Sequence, residues 1–331
     1  MRTLFKPVVS HIFAAYLEKK NLFILHRLIG NSVGDTLCMT SVIRELYNKY
    51  MYKIVIITTC PDIFLNNPYV FRIINCENFT KSQKKSIRRF LSLIDSKRCE
   101  RYGFRRYNLF ITNYTIKYKK INAERYMAIH NIKRHLTVLH SWHFGIKLDY
   151  NNINNEIYLS SEEIKTFKEK FMLPDHYCII QSEGKTTYTP NKEWGFEKFQ
   201  QVVNILNNML WIQTGSKTSK SLEGTLDLRG KTSLRELFYL ISRAKFILST
   251  EGLLNHAASA FNKKSFVVFS GFHPVEIAKY PCTIPITSKE NVLCAPCGLL
   301  TPCPILGKPC TENITPEMVV KAIEKEVAVL A

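Results

Sequence analysis

No stretch of eighteen consecutive apolar residues occurs in this 331-residue chain, so no segment is suited to cross a bilayer as a helix. The first residues do not read as a secretory leader, because the apolar start runs into Lys19 and Lys20 without a small-residue cleavage site. Acidic side chains are in short supply. Only 27 Asp and Glu face 46 Lys and Arg, which leaves a formal charge of +19 and an isoelectric point near 9.5. Such an imbalance costs self-repulsion unless a polyanion or an anionic surface is met. Zinc-finger ligand spacing, an RNP-type aromatic strand and a clear helix-turn-helix pattern are all lacking. These absences speak against a dedicated nucleic-acid reader, and a phosphorylated partner or a membrane surface becomes the expected counter-charge.

The positive charge is concentrated. Residues 81–147 carry seventeen Lys or Arg against Asp95, Glu100 and Glu124, with His130, His135, His140 and His143 added. Ahead of this region, Leu4, Phe5, Val8, Val9, Ile12, Phe13, Tyr16 and Leu17 recur at helical spacing. They predict an amphipathic helix over residues 1–20, suited either to the interface of an anionic membrane or to docking on the protein's own core. At 331 residues with 46% apolar content, the chain suits two domains, 21–155 and 156–331. The polar stretch 149–163 is the expected linker.

Two segments share one architecture. Leu22 to Leu25 read as a strand, and NSVGDTLCMTSVIREL follows as a turn and helix that places Asp35 directly after Gly34. About 215 residues later, KFILSTEGLLNHAASAF repeats the scheme, with Glu251 and Gly252 at the turn and His256 in the first helical turn. Helix N-termini at the carboxyl ends of parallel strands offer free N–H groups to anions. An Asp or His in such a place can equally cap or pack its helix. Further strands are predicted at 53–59, 70–74, 108–112, 177–183, 209–215, 226–230, 245–250 and 265–271, with helices at 195–208 and 233–243. A closing helix has Thr315 as its N-cap and Pro316 at its first position. Alternation of strands and helices implies parallel α/β sheets.

Taken in order, GNSVGDTLCMTSVIREL, NKEWGFEKFQQVV, LRGKTSLRELFYLISRAKFILSTEGLLNHAASAF and the SGFHP turn resemble glycosyltransferase family 9, the bacterial heptosyltransferases, over about residues 21 to 327. The resemblance implies a GT-B fold: two Rossmann-like parallel-sheet domains facing a central cleft, the first for the acceptor and the second for the nucleotide sugar. It implies inverting transfer of heptose from ADP-heptose to a phosphorylated lipopolysaccharide-core or related glycolipid, with no cofactor for catalysis. Asp35 matches the family's catalytic aspartate, and Lys192 the lysine that holds the donor phosphates. Thr250, Glu251, Gly252, Leu253, His256, Gly215 and Gly271 fall on the donor side, with Glu251 expected to meet sugar or ribose hydroxyls. Arg27, Asn31, Ser32, Arg105 and Arg106 fall on the acceptor side. Trp194 is expected to pack rather than to stack on a base.

Two positions depart from the pattern: Leu253 stands where many relatives have a second glycine, and Ser216, Lys217 and Thr218 stand where many carry a glutamate for the ribose. Two other readings stay open beside the glycolipid enzyme. One is a protein O-heptosyltransferase of the kind that modifies autotransporters, and the other is a non-catalytic module binding anionic lipid or nucleic acid on the same scaffold.

Ten cysteines without a secretory leader suggest reduced thiols and a cytoplasmic setting, peripheral to the inner membrane. Four of them, Cys294, Cys297, Cys303 and Cys310, fall in the Pro- and Gly-rich loop 294–310. Their spacing can build a structural zinc or iron site of four thiolates. It also suits disulfides or plain buried thiols. Some relatives that modify autotransporter proteins hold iron in a four-cysteine finger, which this loop loosely resembles.

Overall fold

The computed structural model describes residues 22–28, 32–87, 134–142, 145–184, 188–288 and 292–328, with residues 19 and 89. The expected helix over 1–20, the strand at 108–112, and Asn31, Arg105 and Arg106 lie outside the described residues. Two compact units emerge, one holding 22–87 with 136–158, the other 134–135 with 159–328. Each is built on an all-parallel sheet, so the α/β class read from the sequence is the one observed.

In the first unit, β1 (Leu22–Leu28), β2 (Lys53–Thr58) and β3 (Val70–Asn75) pair in that order. The β-branched run of β2 is buried in all but its first residue, as a strand covered on both faces requires. Between β1 and β2 lie α1 (Val33–Leu37) and α2 (Met39–Tyr50). Met39, Val42, Ile43 and Leu46 form the buried stripe of α2 at helical spacing. Later in the chain α3 (Leu136–Trp142) returns to this unit.

The polar stretch after residue 149 is tied down rather than loose. Arg44 on α2 reaches the Glu156 carboxylate at 2.8 Å and the Asn152 carbonyl at 2.7 Å, and the Glu156 N–H donates to the Thr40 hydroxyl at 2.8 Å. Two residues past Tyr158 the polarity serves a different end. Ser160 and Glu163 cap each other's backbone and open α4 (Ser161–Phe171), a helix the sequence reading missed, its first three residues falling in the expected linker. Ser-x-x-Glu is a start signal for a helix, and here it was hidden in a run of polar residues.

The second unit orders its six strands β6-β5-β4-β7-β8-β9. These are β4 (Tyr177–Gln181), β5 (Leu210–Gln213), β6 (Thr225–Asp227), β7 (Ile247–Thr250), β8 (Ser265–Val268) and β9 (Thr283–Ile286). Helices α5 (Phe196–Ile205), α6 (Leu234–Arg243), α7 (Leu253–Ala260) and α8 (Pro316–Ala328) connect or close the sheet. Thr315 caps α8 through its hydroxyl, as expected. Strand β9 escapes a sequence reading because Pro285 sits inside it. Proline is tolerated there because β9 is an edge strand.

Aromatic rings fill this unit's core. Trp211, Phe246 and Phe266 stack edge to face at 5.6 and 5.2 Å, geometry that adds about 0.5–1.5 kcal/mol per pair beyond burial. Trp194 packs as expected, edge-on to Phe199 at 4.8 Å, and its indole N–H donates to the Ile314 carbonyl at 2.9 Å. The order of chain progression reverses between β4 and β7, and the crevice beyond their carboxyl ends is where open α/β sheets bind ligands.

Helices α4 and α6 are joined by Arg235, buried, whose guanidinium grips both oxygens of Glu163 at 2.8 Å. This bond holds the Glu163 carboxyl down to about 2 from an ordinary 4.5. Its stabilising contribution is therefore full above the unfolded value and is lost as pH falls through the folded one. Glu163→Gln is expected to cost about 2 kcal/mol at pH 7 in denaturant unfolding, with the gap to wild type closing toward pH 2. An equal gap at both pH values would contradict this account.

Candidate functional site

Strand β7 ends in Ser249 and Thr250, both buried, and the next two residues are Glu251 and Gly252. Helix α7 starts at Leu253 with no side chain capping it, so its first N–H groups remain available as donors. Helix propagation does not satisfy them, and an anion bound there would.

Glu251 is the centre of a charged cluster drawn from three carboxyl-end loops. The Lys192 Nζ lies 2.5 Å from Oε2, the His273 Nε2 3.1 Å from the same oxygen, and the His256 Nε2 3.6 Å from Oε1. Burial alone would raise the Glu251 carboxyl, yet the neighbouring charges of Lys192 and His273 hold it well below the usual carboxylate range. The carboxylate is thus ionised and consumed internally, where the sequence reading expected it to face sugar or ribose hydroxyls.

Lys192 ends a short 3-10 turn, Pro190–Lys192, that Thr189 caps. Its ammonium sits over the rings of Tyr188 and Phe272 at 5.5 and 5.3 Å, a cation–π setting that fixes a flexible side chain. His256, in the first turn of α7, is buried and aimed inward. Its Nδ1 meets the Tyr280 hydroxyl at 2.7 Å. With Tyr280 donating to Nδ1, the Nε2–H is directed at Glu251. His256 therefore orients the carboxylate from behind, instead of standing open beside a ligand.

Small residues keep the crevice accessible. A Cβ on Gly184, just beyond β4, would come within 3.0 Å of the Glu193 carboxylate and 3.4 Å of the Thr250 hydroxyl, whereas a Cβ on Gly252 would meet nothing within 4 Å. Gly215, beyond β5, adopts φ +134° and lets its carbonyl accept from the Gly230 N–H at 2.9 Å. Thr214 and Ser249 present buried hydroxyl oxygens without a partner among the described residues.

Gly271, beyond β8, serves a different contact. At φ +77° its missing Cβ leaves room for Cys310 and Ala295, whose Cβ atoms would stand 2.8 and 2.9 Å away. The cysteine loop is pinned there through Cys297 N–H to the Gly271 carbonyl at 3.0 Å, and Asn191 holds the Leu299 and Thr301 carbonyls at 2.7 Å each. Cys294, Cys297, Cys303 and Cys310 are free thiols. Burial pushes Cys310 up to about 11, helped by the other three. Among the described residues, no three or more of His, Cys, Asp and Glu are arranged to hold a metal ion.

In the first unit Ser32, not Asp35, is the N-cap: its hydroxyl accepts from the Asp35 N–H at 3.2 Å, and Gly34 lies inside α1 without a positive φ. Asp35 occupies the third helical position, half-buried, and its carboxylate has no partner among the described residues. Arg27 lies on β1. Lys192, Thr250, Glu251, Gly252, Leu253 and His256 come together at the β7 crevice. Sequence reasoning quoted SGFHP yet gave His273 no role. Its position beyond the next strand end was the signal for it.

Gly271→Ala would force both a strained φ and a clash, and is expected to lower stability by about 3 kcal/mol in denaturant unfolding. An unchanged midpoint would mean that the cysteine loop does not press on this turn.

The model of glycosyltransferase family 9 (heptosyltransferase) matches residues 93–301. No curated protein matches the chain in sequence. Among solved structures, the E. coli ADP-heptose lps heptosyltransferase II is similar with a TM-score of 0.59 and 17% identity, over 92% of this chain and 98% of that one. A glycosyl transferase family 9 protein from Veillonella parvula gives 0.58 at 12% identity, over 92% and 95%. TibC, an iron-containing dodecameric glycosyltransferase of enterotoxigenic E. coli, gives 0.61 at 12% identity, over 91% and 75%.

Proposed function

The chain belongs to glycosyltransferase family 9, the heptosyltransferase family, and from that premise we propose that it is an inverting GT-B enzyme transferring heptose from ADP-heptose to a phosphorylated glycolipid of the lipopolysaccharide-core type. The observation that carries the reading is the crevice at the switch point of the second sheet, where Lys192 and the uncapped start of α7 meet. A solved TibC complex contains ADP-D-beta-D-heptose, which supports a nucleotide-sugar donor.

In this reading the acceptor oxygen forms a bond to the anomeric carbon as the bond from that carbon to the diphosphate oxygen breaks. Asp35 takes the hydroxyl proton, a role for which an unengaged carboxylate is suited. The electron pair leaves with ADP, and Lys192 together with the α7 N–H groups stabilises the charge that develops on the diphosphate. Ser32 holds the turn that presents Asp35. The acceptor's phosphates find their counter-charge in the basic region 81–147, Arg105 and Arg106 included. We place the enzyme at the cytoplasmic face of the inner membrane, a setting that its net charge of +19 suits through attraction to anionic lipid. No step is assigned to the four cysteines.

Asp35→Asn is expected to lower turnover of ADP-heptose by about 10²–10⁴-fold while sparing ADP affinity measured by calorimetry. Full turnover in that variant would remove Asp35 as the base. Charge reversal across residues 84–106 is expected to raise KM for a phosphorylated acceptor and to leave KM for the donor unchanged, which steady-state kinetics on both substrates would read.

A further inference from the structure

His273 stands between a backbone carbonyl and the Glu251 carboxylate. Nδ1 lies 3.1 Å from the Pro274 carbonyl oxygen, and Nε2 lies 3.1 Å from the Glu251 carboxylate. A neutral imidazole carries one N–H and can donate to only one of them. An imidazolium there brings a second positive charge to the carboxylate oxygen that Lys192 approaches. Phe269 and Phe272 flank the ring, with ring centroids at 6.1 and 5.5 Å. His256 differs, because Tyr280 can donate to its Nδ1 and leave it neutral while Nε2–H still points to Glu251.

The charges then count in an informative way. Lys192 and Glu251 alone sum to zero, and a lysine paired at 2.5 Å to a buried carboxylate is not free to turn toward a ligand. If it turned, it would leave an uncompensated charge in a dry site, which is strongly unfavourable. A second cation on the same carboxylate oxygen removes that obstacle. We propose that His273 is a positioning residue that acts as the resident counter-ion of Glu251, so that Lys192 can exchange its carboxylate partner for the donor's diphosphate. With His273 charged, the cluster carries a net positive charge toward the α7 N-terminus, and its partner is a nucleoside diphosphate or its sugar ester. The inference rests on the donor-site reading above and adds to it a residue that acts through Lys192.

The test is calorimetric titration of the purified protein with ADP, using wild type, Lys192→Ala, His273→Gln, Glu251→Gln and the double variant Glu251→Gln with His273→Gln. His273→Gln is expected to weaken ADP binding about tenfold. Removing the negative charge as well should restore it to within about threefold of Glu251→Gln, because a lysine with no carboxylate to satisfy needs no stand-in. A residue that merely packed would give no such rescue, and rescue also shows that the doubly substituted chain folds. In wild type, nitrogen-15 spectra of the imidazole at neutral pH should show both His273 nitrogens protonated. Wild-type affinity in His273→Gln alongside weak binding in Lys192→Ala would overturn the proposal and leave the donor site standing. So would a double variant as weak as His273→Gln, or a ring protonated at Nδ1 alone. Unchanged ADP binding in both Lys192→Ala and His273→Gln would overturn the donor-site reading and this proposal together.

Discussion

A carboxylate taken almost wholly out of water must be given its opposite charge, and Glu251 sets that demand on everything around it. Three loops that leave three parallel strands each supply part of the answer: Lys192 from the stretch after β4, His256 from the helix after β7, and His273 from the turn after β8. The strand order brings those loops to one end of the sheet. Local chemistry at the site is therefore a consequence of sheet topology, with the ion cluster serving as the clasp between neighbouring βα units.

The same demand accounts for the crowding at the site's periphery. Phe272 places one ring against both Lys192 and His273. Its backbone carbonyl is also taken, by the Gly298 N–H at 2.6 Å. The cysteine loop thus braces the turn that carries His273, while Asn191, next to Lys192 in sequence, ties the other side of that loop. Two residues that meet at Glu251 are held by one loop from opposite sides. Its packing and the cluster's geometry are one mechanical unit.

How much of this was legible in the sequence depends on which force dominates at each place. Strands β2, β4, β5, β7 and β8 were visible because continuous β-branched runs bounded by turn residues report burial on both faces. The helix expected at 233–243 was visible through its apolar spacing, and the structure starts it at Leu234 with Ser233 as N-cap in reciprocal bonds to Glu236. Strand β9 was hidden by its proline, and α4 by the polarity of a helix that buries almost nothing. At the site, Glu251 and His256 could be named from the strand-turn-helix pattern, and Lys192 from the family resemblance of its segment. Their mutual partners could not, since His273 and Tyr280 reach Glu251 and His256 only through tertiary contacts that no spacing encodes. Asp35 was read at the turn that opens a helix; it lies at the third helical position, and the cap there belongs to Ser32.

Pro285 has a bearing on the molecule's behaviour among its own copies. An open sheet ends in two strands whose outward N–H and C=O groups form a template on which a foreign strand can pair. Here one edge, β6, is three residues long, and Asp227 within it is engaged by Arg229 at 2.8 Å. At the other edge, β9 has a nitrogen with no hydrogen to offer in the middle of four residues. Neither edge presents an unbroken ladder, so the sheet terminates rather than recruiting a neighbour, and it offers no seed for fibrous association between copies.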